Sequence, residues 1–359
     1  MPRDRNGCDS LRRLSQAIAA QAAERDRDGG FPREAFAALA AEGLLADPPR
    51  EIWPLLKLLA AVGRGDLSAG RIFEGHVDAR SLIDRFGTPT QRTAFRDAVL
   101  GVWNTDGPDD PLRLRDGVFQ GRKAFASGVD GLSHAIVTVE RDGGRQMVIV
   151  PTADLRVDRS WWTPLGMRAS GSHLAVLTGL RVGKEQLLGA PGDYLTEPWF
   201  TAGAIRFLAV QVGGMHAICD CLIAHLRRTG RAENPYQAHR LATAGVRVET
   251  GYLWLRQVAE AWSQAIADPE DAALRDYLTA AANGARGAVE RSALELLETA
   301  ERAIGAPGLV APHPFERLAR DLRTYLRQPN PDGAAASFGA ALAQGRWVPG
   351  RDLPQGGRI

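Results

Sequence analysis

Glu74 and His76, two apart in RIFEGHVDA, and His216 and Glu249 in long helical stretches are side chains of the types that carry acid–base chemistry. A carboxylate or an imidazole can take or give a proton during reaction, but each of these groups reads equally as packing, capping or solvated charge. Other chemistries have less to stand on. The seven histidines never fall at zinc-ligand spacing with acidic or thiol partners, so no metal site is expected. Gly171-Ser172-His173 lacks the Gly-x-Ser-x-Gly order of a hydrolase elbow, and no glycine-rich turn ends in the Lys-Ser/Thr of a phosphate loop. Cys219 and Cys221 lie in an apolar helical stretch and read as buried structural thiols; with Cys8 they make an odd number, as expected of a chain without disulfides. His313, between two prolines, reads as a loop residue.

The elements that must position such groups fall into three textures. From Leu11 to about Leu100 apolar residues recur three and four apart, as in SLRRLSQAIAAQAAERD and PREAFAALAAEGLL, with Pro32 at a helix start and Gly43 at its end. GVFQGRKAFASG, HAIVTVE, RQMVIVP and HLAVLTGLRV then alternate or run in β-branched residues, and Arg141-Asp142-Gly143-Gly144 reads as a hairpin turn. After Glu197 the helical period returns in four long segments, from IRFLAVQVGGMHAICDCLIAHLRR to PFERLARDLRTYL. The expected fold class is α+β: a helical domain over 1–102, an antiparallel β-barrel over 103–196, a four-helix bundle over 197–345 and a tail over 346–359. The ends, before Leu11 and after Trp347, read as loosely ordered.

Composition narrows the function classes. Across 359 residues, 44 basic and 42 acidic side chains give a net charge of +2, which offers no electrostatic footprint for nucleic acid. No apolar run approaches the roughly 20 residues of a membrane span and the start lacks a signal-peptide core, so a cytoplasmic protein is expected.

Residues 161–182, WWTPLGMRASGSHLAVLTGLRV, resemble the end of the middle domain of the acyl-CoA dehydrogenase superfamily, where a Leu-Gly-Met-Arg-x-Ser run leads into the strand that closes the barrel. FPREAFAALAAEGLL, DRFGTPTQRTAF, GRKAFASG, and GAPG followed by PFERLARDLR resemble further motifs of that family, in the same order and over nearly the whole chain. The resemblance implies a flavoprotein holding FAD, or FMN if it is a monooxygenase. It would place Ser127 with its N–H and hydroxyl at flavin N5 and O4, Phe125 against the ring system, and Trp103, Asn104 and Thr105 in the loop closing the other side. Arg227 or Arg228, and Arg302 where the family has a Gln, would reach the diphosphate or adenosine across a subunit interface, implying a homodimer or homotetramer. Taken singly, Phe125 also reads as core, Ser127 as a turn residue, and Arg227 and Arg228 as solvated cations at a helix end.

The family's catalytic glutamate is missing from both its places, which read Pro329-Asn330 and Ala204-Ile205-Arg206. Glu74 and His76 lie on the helix that borders the family's substrate pocket, which Glu249 and His216 could also face, so Glu74, His76 and Glu249 are the candidates for the chemistry. The first expectation is an FAD-dependent oxidoreductase moving hydride from an acyl-thioester-like substrate to flavin, with an electron-transfer flavoprotein as partner. RTYLRQPNPDGAAASFG and FASGVD are similar instead to the family's flavin monooxygenases. Those take reduced flavin from a separate reductase and use oxygen on aromatic or heteroatom substrates. A third possibility is a catalytically silent partner subunit.

Overall fold

The computed structural model describes residues 5–327 and 329–350. Five helices come first: α1 (Arg5–Asp28), α2 (Arg33–Ala41), α3 (Ile52–Gly65), α4 (Leu67–Phe86) and α5 (Pro89–Ala94). Their starts follow local chemistry: the Asp66 carboxylate accepts from Ser68 and Ala69 at the head of α4, and Thr88 with Gln91 makes a capping box on α5. Gly43, with φ +71°, follows the end of α2 as its position suggests. Helix α1 begins at Arg5, six residues before the expected start, while the Cys8 side chain lies outside the described residues.

Nine strands follow: β1 (Leu100–Trp103), β2 (Arg113–Arg115), β3 (Val118–Gln120), β4 (Arg122–Ala126), β5 (His134–Arg141), β6 (Gly144–Pro151), β7 (Arg156–Asp158), β8 (His173–Val176) and β9 (Leu187–Leu188). They do not close into a barrel. They form three sheets, ordered β1-β5-β6-β9, β2-β3 and β4-β8-β7, and β1 runs parallel to β5. The strand expected to close a barrel, β8, is the centre of the three-stranded sheet. Closure fails at short strands and a break in register: β9 has two residues, and the β4–β8 ladder shifts between Lys123 and Ala126. The hairpin turn falls as expected, with Arg141 opposite Gly144.

The C-terminal helices are α6 (Trp199–Arg228), α7 (Pro235–Ala267), α8 (Ala272–Ile304), α9 (Pro314–Tyr325) and α10 (Pro331–Ala343). Asn234 and Asp271 cap α7 and α8 through their side chains. By length and composition α6 could cross a membrane, contrary to the sequence expectation, but 67% of its apolar stretch is buried within the fold. It packs on α3, α7, α8 and α9, and backbone approaches backbone at its crossing with α3. A Cβ at Gly213 would stand 2.1 Å from the Ala60 oxygen, and one at Gly63 2.4 Å from that of Val210. The expected tail is fastened at its start, where Trp347 stacks on Tyr277 with ring centres 5.0 Å apart; residues 351–359 of that tail lie outside the described ones.

Candidate functional site

Lys123 organises the loop that leaves β1. Its ammonium, 1% exposed, donates to the Asn104 carbonyl at 2.9 Å and to Asp106 at 2.6 Å. Burial lowers its pKa and the Asp106 carboxylate opposes that fall. The Asn104 side-chain oxygen accepts from Thr138 at 2.7 Å and from Arg145 at 2.6 Å, so its orientation is fixed. Trp103 is buried and donates its indole N–H to the Ser127 carbonyl at 3.2 Å. The Thr105 side chain is exposed, and its carbonyl accepts from Ala124 at 2.9 Å. Residues 103–105 and 124–127 are thereby one unit.

Within that unit the backbone turns the Phe125 ring outward. Phe125 has φ +52°, a region non-glycine residues enter at a cost, and its ring is 49% exposed. It meets Trp161 and Trp162 edge-on, with centres 4.9 and 6.1 Å away. Ser127 is buried, and both of its expected donors are engaged within the chain. Its N–H bonds the Phe125 carbonyl at 2.7 Å, and its hydroxyl lies 2.7 Å from that of Ser172. Ser172 is 2.8 Å from Ser170, whose hydroxyl donates to the Met167 carbonyl at 2.8 Å. Beside them His173 contacts Asp130 at 3.2 Å while its Nδ1 is buried without a partner. The His173 hydrogen bond holds the Asp130 carboxyl below its ordinary value against partial burial.

The loop carrying Ser170 and Ser172 is fastened to α9. The Met167 N–H donates to Asp321 at 2.6 Å, the Gly166 N–H to Thr324 at 3.1 Å, and Arg320 to the Leu165 carbonyl at 2.9 Å. Burial pushes the Asp321 carboxyl up to about 7, with Arg317 opposing the rise.

Glu74 and His76, neighbours in sequence, have different surroundings. Glu74 is buried and paired with Arg71 at 2.6 Å, beside the ion pair of Asp78 with Arg206. Burial raises its pKa, and Arg71 opposes the rise. The Tyr325 hydroxyl is buried beside Glu74, and burial first and then the Glu74 charge raise its pKa well above the ordinary value. His76 is 0% exposed and has both ring nitrogens on backbone: Nε2 donates to the Leu45 carbonyl at 2.8 Å and Nδ1 accepts from Leu100 at 3.1 Å. Burial lowers its pKa to about 4.

The remaining candidates stand apart from the Ser127 unit. Glu249 is exposed on α7, near His216, which contacts the Tyr252 hydroxyl at 3.0 Å. Arg302 is exposed and paired with Glu298 at 2.6 Å. Arg228 contacts His225 at 3.4 Å, and His225 in turn meets His313 at 3.0 Å, so the loop histidine joins a cluster at the end of α6. Arg227 lines a cavity of about 670 Å³ between α1, α6 and α9. A second cavity of about 670 Å³ shares Asp26 and Arg27 with it and reaches Trp162, Asp130 and His173. Ser170, Ser172, His173, Asp130 and the tryptophan pair carry no role predicted from the sequence, although RASGSH and WW lie in the 161–182 stretch that resembles the family.

The chain is similar to known proteins along most of its length. Residues 193–326 match the model of the acyl-CoA dehydrogenase C-terminal domain. The chain is 24% identical over 366 positions to a dibenzothiophene monooxygenase of Mycolicibacterium goodii, covering 88% of each chain. It is 28% identical over 372 positions to the amino sugar nitrososynthase DnmZ of Streptomyces peucetius, covering 90% of this chain and 88% of that one. The crystal structure of TdsC from Paenibacillus sp. A11-2 with FMN and indole superposes with a TM-score of 0.82 at 22% identity, over 96% of this chain and 98% of that one.

Proposed function

On the footing that the chain belongs to the acyl-CoA dehydrogenase superfamily, we propose that it is a flavin-dependent monooxygenase, working on a small aromatic or heteroatom-bearing substrate with reduced flavin from a separate reductase. The observation that carries this reading is the company it keeps along nearly its whole length, a monooxygenase and a nitrososynthase. The segment after α9 supports it: Leu326-Arg327-Gln328-Pro329-Asn330 contains no carboxylate, and Arg327 pairs with Glu290. Dehydrogenation of an acyl thioester, the first expectation from sequence, is less well supported, because Glu74 is engaged by Arg71.

The residues present fit a flavin. Phe125 adopts a costly backbone conformation that leaves a large ring exposed beside two tryptophans, which suits a planar apolar ligand better than water. FMN is the favoured form, since TdsC carries it, and a homo-oligomer would bring further contacts from a second copy. When bound, reduced flavin supplies the electrons with which dioxygen is activated for insertion into the substrate. Phe125, Trp161 and Trp162 would hold the ring and exclude water, and Ser127 would meet its polar edge. Asn104, fixed by Thr138 and Arg145, would orient the substrate side. The Asp130–His173 pair is placed to hold a proton at Nε2.

The test supplies the purified protein with FMN, a reductase, NADH and isotopically labelled oxygen, with indole as probe. Labelled oxygen in the product supports the reading. Anaerobic bleaching of bound flavin by an acyl thioester, with no oxygenated product, overturns it in favour of dehydrogenation.

A further inference from the structure

Two buried polar atoms belong to side chains that line the second cavity and have no partner. Asp26 is 7% exposed, and while its Oδ2 accepts from Arg320 at 2.7 Å, its Oδ1 is buried without a hydrogen bond. His173, also 7% exposed, has its Nε2 3.2 Å from the Asp130 carboxylate, to which only an N–H can donate. The neutral ring then carries a bare lone pair at Nδ1, the second buried atom without a partner. Leaving such acceptors unpaired is costly, so both call for a donor. The charge around Asp26 favours a cationic one. Arg320 serves Asp26 and Glu316, and Arg317 serves Asp66 and Asp321, so four carboxyl groups share two guanidiniums.

The opposite polarity lines the same cavity. Among the described residues, the exposed Arg27 and Arg168 side chains have no ion-pair or hydrogen-bond partner, whereas Arg159 is paired with Asp130 and Asp28 lies 3.8 Å from Arg25. Trp162, half-exposed, adds an aromatic face. The volume of about 670 Å³ falls in the range of small-molecule sites.

We propose that this cavity binds a small amphoteric molecule of the α-amino acid class, with its ammonium on Asp26 and His173, its carboxylate on Arg27 and Arg168, and an aromatic side chain against Trp162. An ammonium has donors and no acceptor, which matches the two orphaned acceptors, and guanidinium forks take carboxylate oxygens. A simple anion would set its lone pairs against Asp26, and a simple amine would leave both arginines unanswered. Phe125, Trp161 and Ser127 lie outside this lining, so the site is independent of the flavin reading.

Calorimetric titration of the full-length protein, without added flavin, tests this with L-phenylalanine as the probe. The analogues 3-phenylpropionate and phenethylamine lack the ammonium and the carboxylate in turn. Saturable binding of L-phenylalanine at a single site is expected, with each analogue weaker by about tenfold. Arg27→Gln and Arg168→Gln change exposed side chains, and each should weaken L-phenylalanine by about fivefold while leaving phenethylamine unaffected. Asp26→Asn should weaken both of these ligands. Because Asp26 also holds Arg320, thermal unfolding checks the fold of that variant, and the two arginine variants decide the matter if it misfolds. Absence of saturable binding, 3-phenylpropionate binding as tightly as L-phenylalanine, or unchanged affinity in both arginine variants overturns the proposal. None of these results touches the labelled-oxygen test of the flavin reading.

Discussion

His76 donates its Nε2 proton to the Leu45 carbonyl at 2.8 Å while its Nδ1 accepts from the Leu100 N–H at 3.1 Å, so one ring joins the turn after α2, the middle of α4 and the first strand. A neutral imidazole with a fixed tautomer is what this geometry requires, and a second proton has no acceptor to go to.

The first prediction follows from that bond pair. An unfolded histidine gains its proton near 6.5, whereas His76 in the fold does so near 4. The stability this residue provides is therefore complete above pH 6.5 and is lost as the pH falls toward 4, amounting to about 3 kcal/mol over the window. Urea unfolding at a series of pH values should show this slope in the wild-type protein and a flatter one in His76→Gln.

Glu74 separates a structural from a chemical role. Glu74→Gln leaves the Arg71 guanidinium without its counter-charge in a buried place, and the expected loss is about 2–3 kcal/mol in urea unfolding. Replacing both partners, Arg71→Leu with Glu74→Leu, should recover most of it. If the double variant regains stability and oxygenation together, Glu74 serves structure; recovery of stability alone would assign it to the chemistry.

Phe125 offers a test in which stability and binding part company. Phe125→Gly relieves about 1–2 kcal/mol of left-handed strain and incurs about 1 kcal/mol of backbone entropy. Its melting temperature should stay within a few degrees of wild type although a large ring has been deleted. FMN affinity should fall by about tenfold, because the aromatic wall is gone.

Gly166 is the tightest point between loop and bundle. A Cβ there would stand 2.3 Å from the carbonyl carbon and oxygen of Arg320, where only backbone could yield. Gly166→Ala should destabilise the protein by about 2–3 kcal/mol. Hydrogen exchange at the Met167 amide should accelerate, since its bond to Asp321 depends on the same docking.

What was legible in the chain depended on length of pattern. The helices α7 and α8, each of 33 residues, and the hairpin at Arg141–Gly144 declare themselves through sustained period and turn chemistry. The open, three-sheet arrangement does not, because β2 reads Arg-Leu-Arg and β7 Arg-Val-Asp, too short and too charged to show alternation. The site was legible in the same uneven way. Motif order placed Trp103, Asn104, Phe125 and Ser127 in adjoining stretches, which the fold brings together, but nothing in sequence tells that the Ser127 donors are already engaged. That depends on where Ser172 arrives, 45 residues later, and on a loop docked by Asp321 a further 149 residues away.

The fastening of Leu165, Gly166 and Met167 to α9 leaves Trp161 and Trp162 as a half-exposed overhang on an otherwise bolted loop. The two functions of this stretch are thereby uncoupled. Its serines are locked into the frame of the molecule, whereas its tryptophans are half-exposed at the rim, Trp162 held by the bond of its indole N–H to the Arg168 carbonyl at 3.3 Å and Trp161 stacked on it. On the proposed flavin reading, a change of ligand range would have its least disruptive route through Trp161, with the serines behind it unaltered.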